Sequence, residues 1–300
     1  MEEERKLMDR REFLKTSLWA PVAVSQAAQS PSPDGSLVVS VLGDSPGDAT
    51  KAAVRALGGM NKFISKGSVV MVKPNLAFPQ HPKVAATTNP EVVKAVIEMA
   101  LEAGAAKVII MDNPVGPWEG PYKRCGMQEV AAATGAELRP PDMKRLVSHD
   151  FKGAAMMKGW RIFKDFLEVD AFINVPILKT HSFTDLTIGM KNLMGIIENR
   201  DMFHGRDIGK RLADLACGFP PRLNIVDANR VISAGGPISG NVIEPKTVIV
   251  SANILEADVV AAALLGRSRK SIPYFDPAFK NGMGQIDVKK INLKSYKLGA

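Results

Sequence analysis

Residues 69–113 read VVMVKPNLAFPQHPKVAATTNPEVVKAVIEMALEAGAAKVIIMDN, and this stretch decides the fold. Val69 to Val72 is a short continuous run of apolar, mostly β-branched residues, which suits a strand buried on both faces. It stops at Lys73-Pro74-Asn75. After a Pro-rich passage, Asn89 stands as a helix cap with Pro90 at the first helical position, and an apolar period of three to four follows to Ala103. Lys107 to Asp112 is a second buried strand. Strand, helix and strand of this kind indicate a mostly parallel sheet covered on both faces.

The same alternation extends outward. LVVSVLG (37–43) reads as a strand, and KAAVRALGGMNKFI (51–64) as an amphipathic helix opened near Asp48 or Thr50. Beyond it come the helix of GMQEVAAATG (126–135), a buried strand at Ala171 to Leu178, and the helix of DIGKRLADLACGF (207–219). RLNIVDA (222–228) and KTVIVSAN (246–253) are further strands, and EADVVAAALLG (256–266) is a helix. The fold class is therefore α/β, doubly wound, with a mostly parallel sheet and helices on both faces. The less regular span 140–220 is the candidate for a second, smaller lobe. The domain reading is a leader at 1–28, a Pro/Ser/Gly linker at 29–36, and the α/β domain at 37–300.

In open parallel sheets, ligands bind beyond the carboxyl ends of the strands. This chain places Asp44 there after the first strand, Lys73 and Asn75 after the second, and Asp112 after the third. Lys179, Thr180 and His181 end the fourth and Asp227 the fifth. Then comes DLTIGMKNLMGII (185–197), in which Leu186, Met190, Leu193, Met194 and Ile197 form a helical stripe that Ile188 and Ile196 broaden. A helix apolar nearly all round is buried, yet Lys191 and Asn192 sit at its centre and His204 follows. An ammonium buried there needs an anionic partner or a polar cavity. The alternative is that its stem carries it to solvent.

The expectation is one pocket for a small anionic ligand. Lys73, Lys179 and Lys191 would neutralise it, and Asn75, Thr180 and Asn192 would orient it, with Asp44, Asp112 and Asp227 on the same edge. His181, His204 and Lys179 are the candidate catalytic groups. No metal site is expected, because the histidine spacing matches no short ligand motif. No nucleotide loop or serine-hydrolase elbow is present either. Six of the chain's eight net positive charges lie between Arg267 and the C-terminus, without a nucleic-acid motif, so they read as a solvated face rather than a nucleic-acid surface.

The N-terminus resembles a twin-arginine export signal. Arg10 and Arg11 precede Phe13-Leu14-Lys15, with Asp9 where such signals often carry Ser or Thr. A mildly apolar run leads to a small-residue cleavage site at Ser25-Gln26-Ala27. The resemblance implies the twin-arginine export machinery as a partner and a periplasmic location after cleavage. An amphipathic N-terminal helix is the other reading. As a cleavable leader, Met1 to Ala28 should pack on nothing. In an oxidising compartment Cys125 and Cys217 could pair or remain two buried thiols.

VVMVKPNL, TTNPEVVKAVIEMALEAGAAKVIIMDNP, FINVPILKTHSFTDLTIGMKNLMGII, LNIVDA, ILEADVVAAALLG and GMGQID together resemble the uncharacterised family called domain of unknown function 362, from about Val38 to Leu298. Many members carry ferredoxin-type cysteine clusters and are labelled iron–sulfur proteins. That implies, as a rival to the anion-binding reading, a redox accessory acting with an electron-transfer partner. A non-catalytic binding protein is a third reading. Two cysteines cannot ligate a four-iron cluster, so no intrinsic iron–sulfur cluster is expected, and the cofactor is left open.

Overall fold

The computed structural model describes residues 36–151, 153–198 and 200–299, together with Ala20–Pro21. Apart from that pair and Ser36, the leader and linker expectations lie outside the described residues. In chain order the elements begin with β1 (Ala20–Pro21), β2 (Val38–Leu42), α1 (Pro46–Ala56), β3 (Val69–Pro74), α2 (Pro90–Glu102) and β4 (Lys107–Ile110). Next are α3 (Glu119–Arg124), α4 (Met127–Thr134), β5 (Glu137–Leu138), β6 (Leu146–Ser148) and β7 (Arg161–Phe163). The centre holds β8 (Ala171–Val175), β9 (Ile177–His181), β10 (Asp185–Thr187), α5 (Gly189–Asn192), α6 (Arg200–Phe203) and α7 (Ile208–Gly218). The chain closes with β11 (Leu223–Ala234), β12 (Asn241–Ile243), β13 (Thr247–Ser251), α8 (Ile254–Leu264), α9 (Phe275–Lys280) and β14 (Leu293–Lys297).

One sheet runs in the order β1-β14-β2-β13-β11-β8-β3-β4-β5, and β9 continues β8 past Pro176 to pair with the outer part of β11. All neighbours on that path are parallel except at β13, which runs antiparallel to both β2 and β11. Because side chains alternate across a strand, the sheet divides the core into two layers. Val70, Val72, Ile110, Ile173 and Ile225 face α1, α2 and α4. Met71, Ile109, Phe172, Val226 and Ile249 face α7, α8 and α9. The fold is doubly wound α/β with a mostly parallel, mixed sheet.

Local chemistry sets the helix starts. Asn89 Oδ1 accepts from Glu91 N (3.0 Å), with Pro90 following. Helix α1 begins at Pro46, earlier than its apolar period suggests. Ser45 Oγ accepts from Asp48 N (3.2 Å), and a proline at the first position has no N–H to lose.

Three expectations are corrected. The span 140–220 is not a lobe of its own, because Ala171–Val175 and Ile177–His181 are strands of the main sheet; among the described residues, only β6 and β7 pair apart from it. The apolar stripe of 186–197 is not one helix. Leu186 lies on β10, Gly189–Asn192 makes one α turn, Leu193–Ile196 continues as 3-10, and Ile197 bridges to Ile162. Burial on every side gave it a helical look, yet Thr187 and Ile188 are extended. Nor does all of the leader pack on nothing, since Ala20–Pro21 pairs in parallel with Tyr296 and Lys297. Both cysteines are free thiols; Cys125 is buried and donates to Phe78 O (3.4 Å). Among the described residues, no helix is long and apolar enough to cross a membrane.

Ile173 is fully buried at the sheet centre. Ile173→Ala should lower unfolding free energy by roughly 2–5 kcal/mol. Lys51→Ala, which loses only a partly exposed pair with Glu98, should cost less than about 1 kcal/mol. Urea denaturation of both variants checks the contrast.

Candidate functional site

The end of β3 supplies the foundation. Lys73 is fully buried, and its ammonium lies 2.7 Å from Asp112 Oδ1, just past β4. Asp112 also accepts from Leu76 N (2.7 Å) and Asn113 N (2.9 Å). A carboxylate with these donors and a lysine is fully engaged, so the pair is a floor rather than a free charge. Gly195 lies directly on it. A Cβ there would stand 1.9 Å from Asp112 Oδ1 and 2.7 Å from Lys73 Nζ.

Above this floor is a cavity of about 120 Å³. Its polar wall includes Lys179, His181, Thr187, Lys191, Asn192 and His204, with Asn75 and Asp112 beside them. Lys179 is buried. Its ammonium donates to Ala86 O and lies 3.4 Å from Asn75 Oδ1 and 4.9 Å from the Phe78 ring centre. The Lys191 ammonium lies 3.3 Å from His204 Nε2 and 3.5 Å from Met194 Sδ. An ammonium only donates, so Nε2 of His204 accepts and its ring proton sits on Nδ1.

His181 Nδ1 accepts from Phe183 N (3.1 Å), which leaves the proton of the neutral ring on Nε2. Burial, then the neighbouring Lys191 and Lys179 ammonium groups, push His181 down to about 3. The two imidazoles stack with centres 6.1 Å apart. Thr187 is buried, and its hydroxyl has no hydrogen-bond partner among the described residues. A buried orphan hydroxyl costs about 1–3 kcal/mol unless something fills its valence.

A chain of buried amides fixes the arrangement. Asn224 Nδ2 points to Ser251 O (3.5 Å), and Asn224 Oδ1 accepts from Asn174 Nδ2 (3.2 Å). Asn174 Oδ1 accepts from Asn192 Nδ2 (2.9 Å), and Asn192 Oδ1 from Asn75 Nδ2 (3.0 Å). Asn75 Oδ1 then faces Lys179. A main-chain carbonyl at one end and an ammonium at the other give every amide one orientation.

Asp258 holds the short helix itself. Its carboxylate, buried in α8, accepts from Gly189 N (2.8 Å) and Met190 N (2.9 Å). Burial pushes Asp258 up to about 7 against those two donors.

The remaining sequence candidates lie elsewhere. Thr180 points away from Lys179, as strand alternation requires, and accepts from Gly236 N (3.0 Å) to anchor the loop whose Pro237 lines the cavity. Asp44 is exposed and paired with Lys246 (2.6 Å), because β13, β11 and β8 stand between its strand and β3. Asp227 is buried in β11, where it accepts from Asn89 N (2.7 Å) and Asn229 N (3.0 Å), so it braces the start of α2. Lys73 lies under the cavity and does not line it. Sequence reasoning missed Asn174, Asn224, Thr187, Gly195 and Asp258. The two asparagines were visible as polar residues inside buried strands. Among the described residues, no three His, Cys, Asp or Glu side chains are grouped to hold a metal ion.

Residues 70–263 match the family described as Domain of unknown function (DUF362). The chain belongs to that family. Its relatives include a thylakoid-associated protein of Synechocystis, 28% identical over 232 residues, covering 74% of this chain and 71% of that one. Among solved structures it is similar to the lactate racemase apoprotein of Thermoanaerobacterium thermosaccharolyticum, with a TM-score of 0.40 and 13% identity. A Thermotoga maritima protein gives a TM-score of 0.43 at 13% identity. Each likeness covers 75% of this chain but only 58% and 60% of the solved chains, respectively.

Two outcomes test the geometry. Gly195→Ala should destabilise the fold by roughly 1–3 kcal/mol or prevent it forming, because the Lys73–Asp112 pair cannot move aside; thermal unfolding measures it. The pH dependence divides by sign. His181 folded (about 3) lies below its unfolded value (~6.5), so its contribution to stability is lost as pH falls from about 6.5 toward 3. Asp258 folded (about 7) lies above its unfolded value (~3.9), so its contribution is lost as pH rises from about 4 to 7. Asp258→Asn should therefore make the stability difference between pH 7 and pH 5 more favourable to pH 7 than in the parent, by urea denaturation at both values.

Proposed function

We propose that this DUF362 protein binds, and acts on, a small anionic ligand in the cavity at the ends of β3 and β9. The observation that carries this reading is the convergence of two buried ammonium groups, Lys179 and Lys191, on one cavity with the orphan Thr187 hydroxyl. Like charges held together in a low dielectric raise the free energy of the empty site, and an anion relieves it. Thr187 and the Nε2 proton of His181 add donors suited to oxygen atoms.

His181 and His204 are the groups that can move a proton. The depression of His181 keeps it neutral at physiological pH, so it donates a hydrogen bond without adding charge. Binding of an anion would raise it again, which couples ligand entry to proton uptake. Lys179, held by Asn75 Oδ1 and Ala86 O, is oriented to stabilise negative charge that develops on the ligand.

Export to the periplasm through the twin-arginine route belongs to the same proposal. Its support is the Arg10-Arg11 leader.

Native mass spectrometry of freshly purified protein should show a small co-purifying anion. Lys191→Met should weaken binding of phosphate or acetate about 10- to 100-fold, the loss of one charge-assisted hydrogen bond. Thermal stability should stay level or rise, because a buried charge leaves and the volume is kept. Unchanged affinity for both probes would count against the reading. Chemical change of the ligand after binding, followed by mass, separates catalysis from binding alone.

A further inference from the structure

The cavity volume of about 120 Å³ is well below the roughly 300–1,000 Å³ of pockets that enclose a whole small-molecule ligand. That accommodates a carboxylate or phosphate group and little more. Any larger ligand must extend through the mouth, so the chemistry of the rim constrains its body.

The rim is apolar. Val115, on the cavity wall, is 55% exposed, and Ile238, next to the wall residue Pro237, is 46% exposed. Phe183 is 67% exposed, and its ring centre lies 5.9 Å from that of His181 and 5.4 Å from that of His204. Single exposed apolar side chains are ordinary on soluble proteins. Three of them around the mouth of a cationic cavity are not, because apolar surface beside a polar site marks where a ligand is covered. Phe78, whose ring lies beneath the Lys179 ammonium, continues the apolar surface inward. A sugar or nucleoside body placed there would lose water from its hydroxyls without gaining partners.

We propose that the ligand is amphipathic: one anionic head group in the cavity and an apolar body lying across Phe183, Val115 and Ile238. This inference rests on the anion-binding reading of the cavity and adds the class of molecule. Lys179, Lys191 and Thr187 hold the head. The rim removes the body from water and discriminates against short or hydroxylated acids of the same charge.

The test is calorimetric titration of the full chain with acetate, butanoate, hexanoate and octanoate, with inorganic phosphate as the bodiless anion. Affinity should rise about two- to fourfold per methylene until the rim is covered. Phe183→Ser, a surface change, should bring that factor toward one. Lys191→Met should weaken every member by a similar factor and preserve the slope. If acetate and phosphate bind but octanoate binds no tighter, the amphipathic class is wrong while the anion site stands. If no member binds and Lys191→Met changes nothing, the anion site itself is wrong. Cosedimentation with phosphatidylglycerol vesicles distinguishes the source. Retention that Phe183→Ser abolishes assigns the body to a bilayer lipid. A chain-length slope without retention assigns it to a free acid. Absence of both overturns the inference.

Discussion

The buried Lys73–Asp112 pair is the constraint on which the rest of this site depends. Two full charges with almost no exposure are tolerable only because the ammonium and the carboxylate meet at 2.7 Å and two backbone N–H groups complete the carboxylate. The pair ties the ends of β3 and β4 together. It also forces a glycine at position 195, since any side chain there would enter the pair. The segment carrying Lys191 and Asn192 can therefore lie flat over the strand ends. The cavity is the space left between that segment and β9.

Above the pair, organisation passes from charge to directional hydrogen bonding. The amide chain from Ser251 through Asn224, Asn174, Asn192 and Asn75 crosses the sheet from β13 to β3 and ends at Lys179. Its polarity matters more than its strength. Each net bond is worth about 1 kcal/mol, but reversing one amide would set donor against donor along the line. Asp258 supplies the second tether, from α8, at the first turn of the same short helix. The short helix that carries Lys191 is thus held at Gly189 and Met190 by Asp258 and at Asn192 by the amide chain.

Much of the architecture was legible because it rests on local periodicity. Asn89-Pro90 announces a helix, and the β-branched runs at Val69–Pro74 and Ala171–Val175 announce buried strands. The cations that meet at the cavity were legible for a different reason: Lys179 and Lys191 stand in apolar surroundings where a charge must be explained. What failed was anything set by tertiary position. Asp44 and Asp227 follow or occupy strands, as Asp112 does, but the sheet order puts one at an exposed strand end beyond β8, β11 and β13 and the other inside the sheet. The uniform apolarity of 186–197 hides a strand, a turn of α-helix and a 3-10 turn, because burial on all sides erases the period that separates them. Gly195 gave no signal, since its necessity comes from two residues far away in sequence.

The sheet order has a bearing on synthesis. Strand β2, near the start of the described chain, is hydrogen-bonded on one side by β13 and on the other by β14. Both partners leave the ribosome long after β2 does. At about 5–20 residues per second, the wait between Val38–Leu42 and Thr247–Ser251 is on the order of 10–40 s. Throughout that interval both backbone edges of an apolar strand lack their native partners, the condition under which strands pair with the wrong chain. The half of the sheet built on β3, β4 and β8 can therefore pair during synthesis, whereas the half built on β2 waits for β13 and β14.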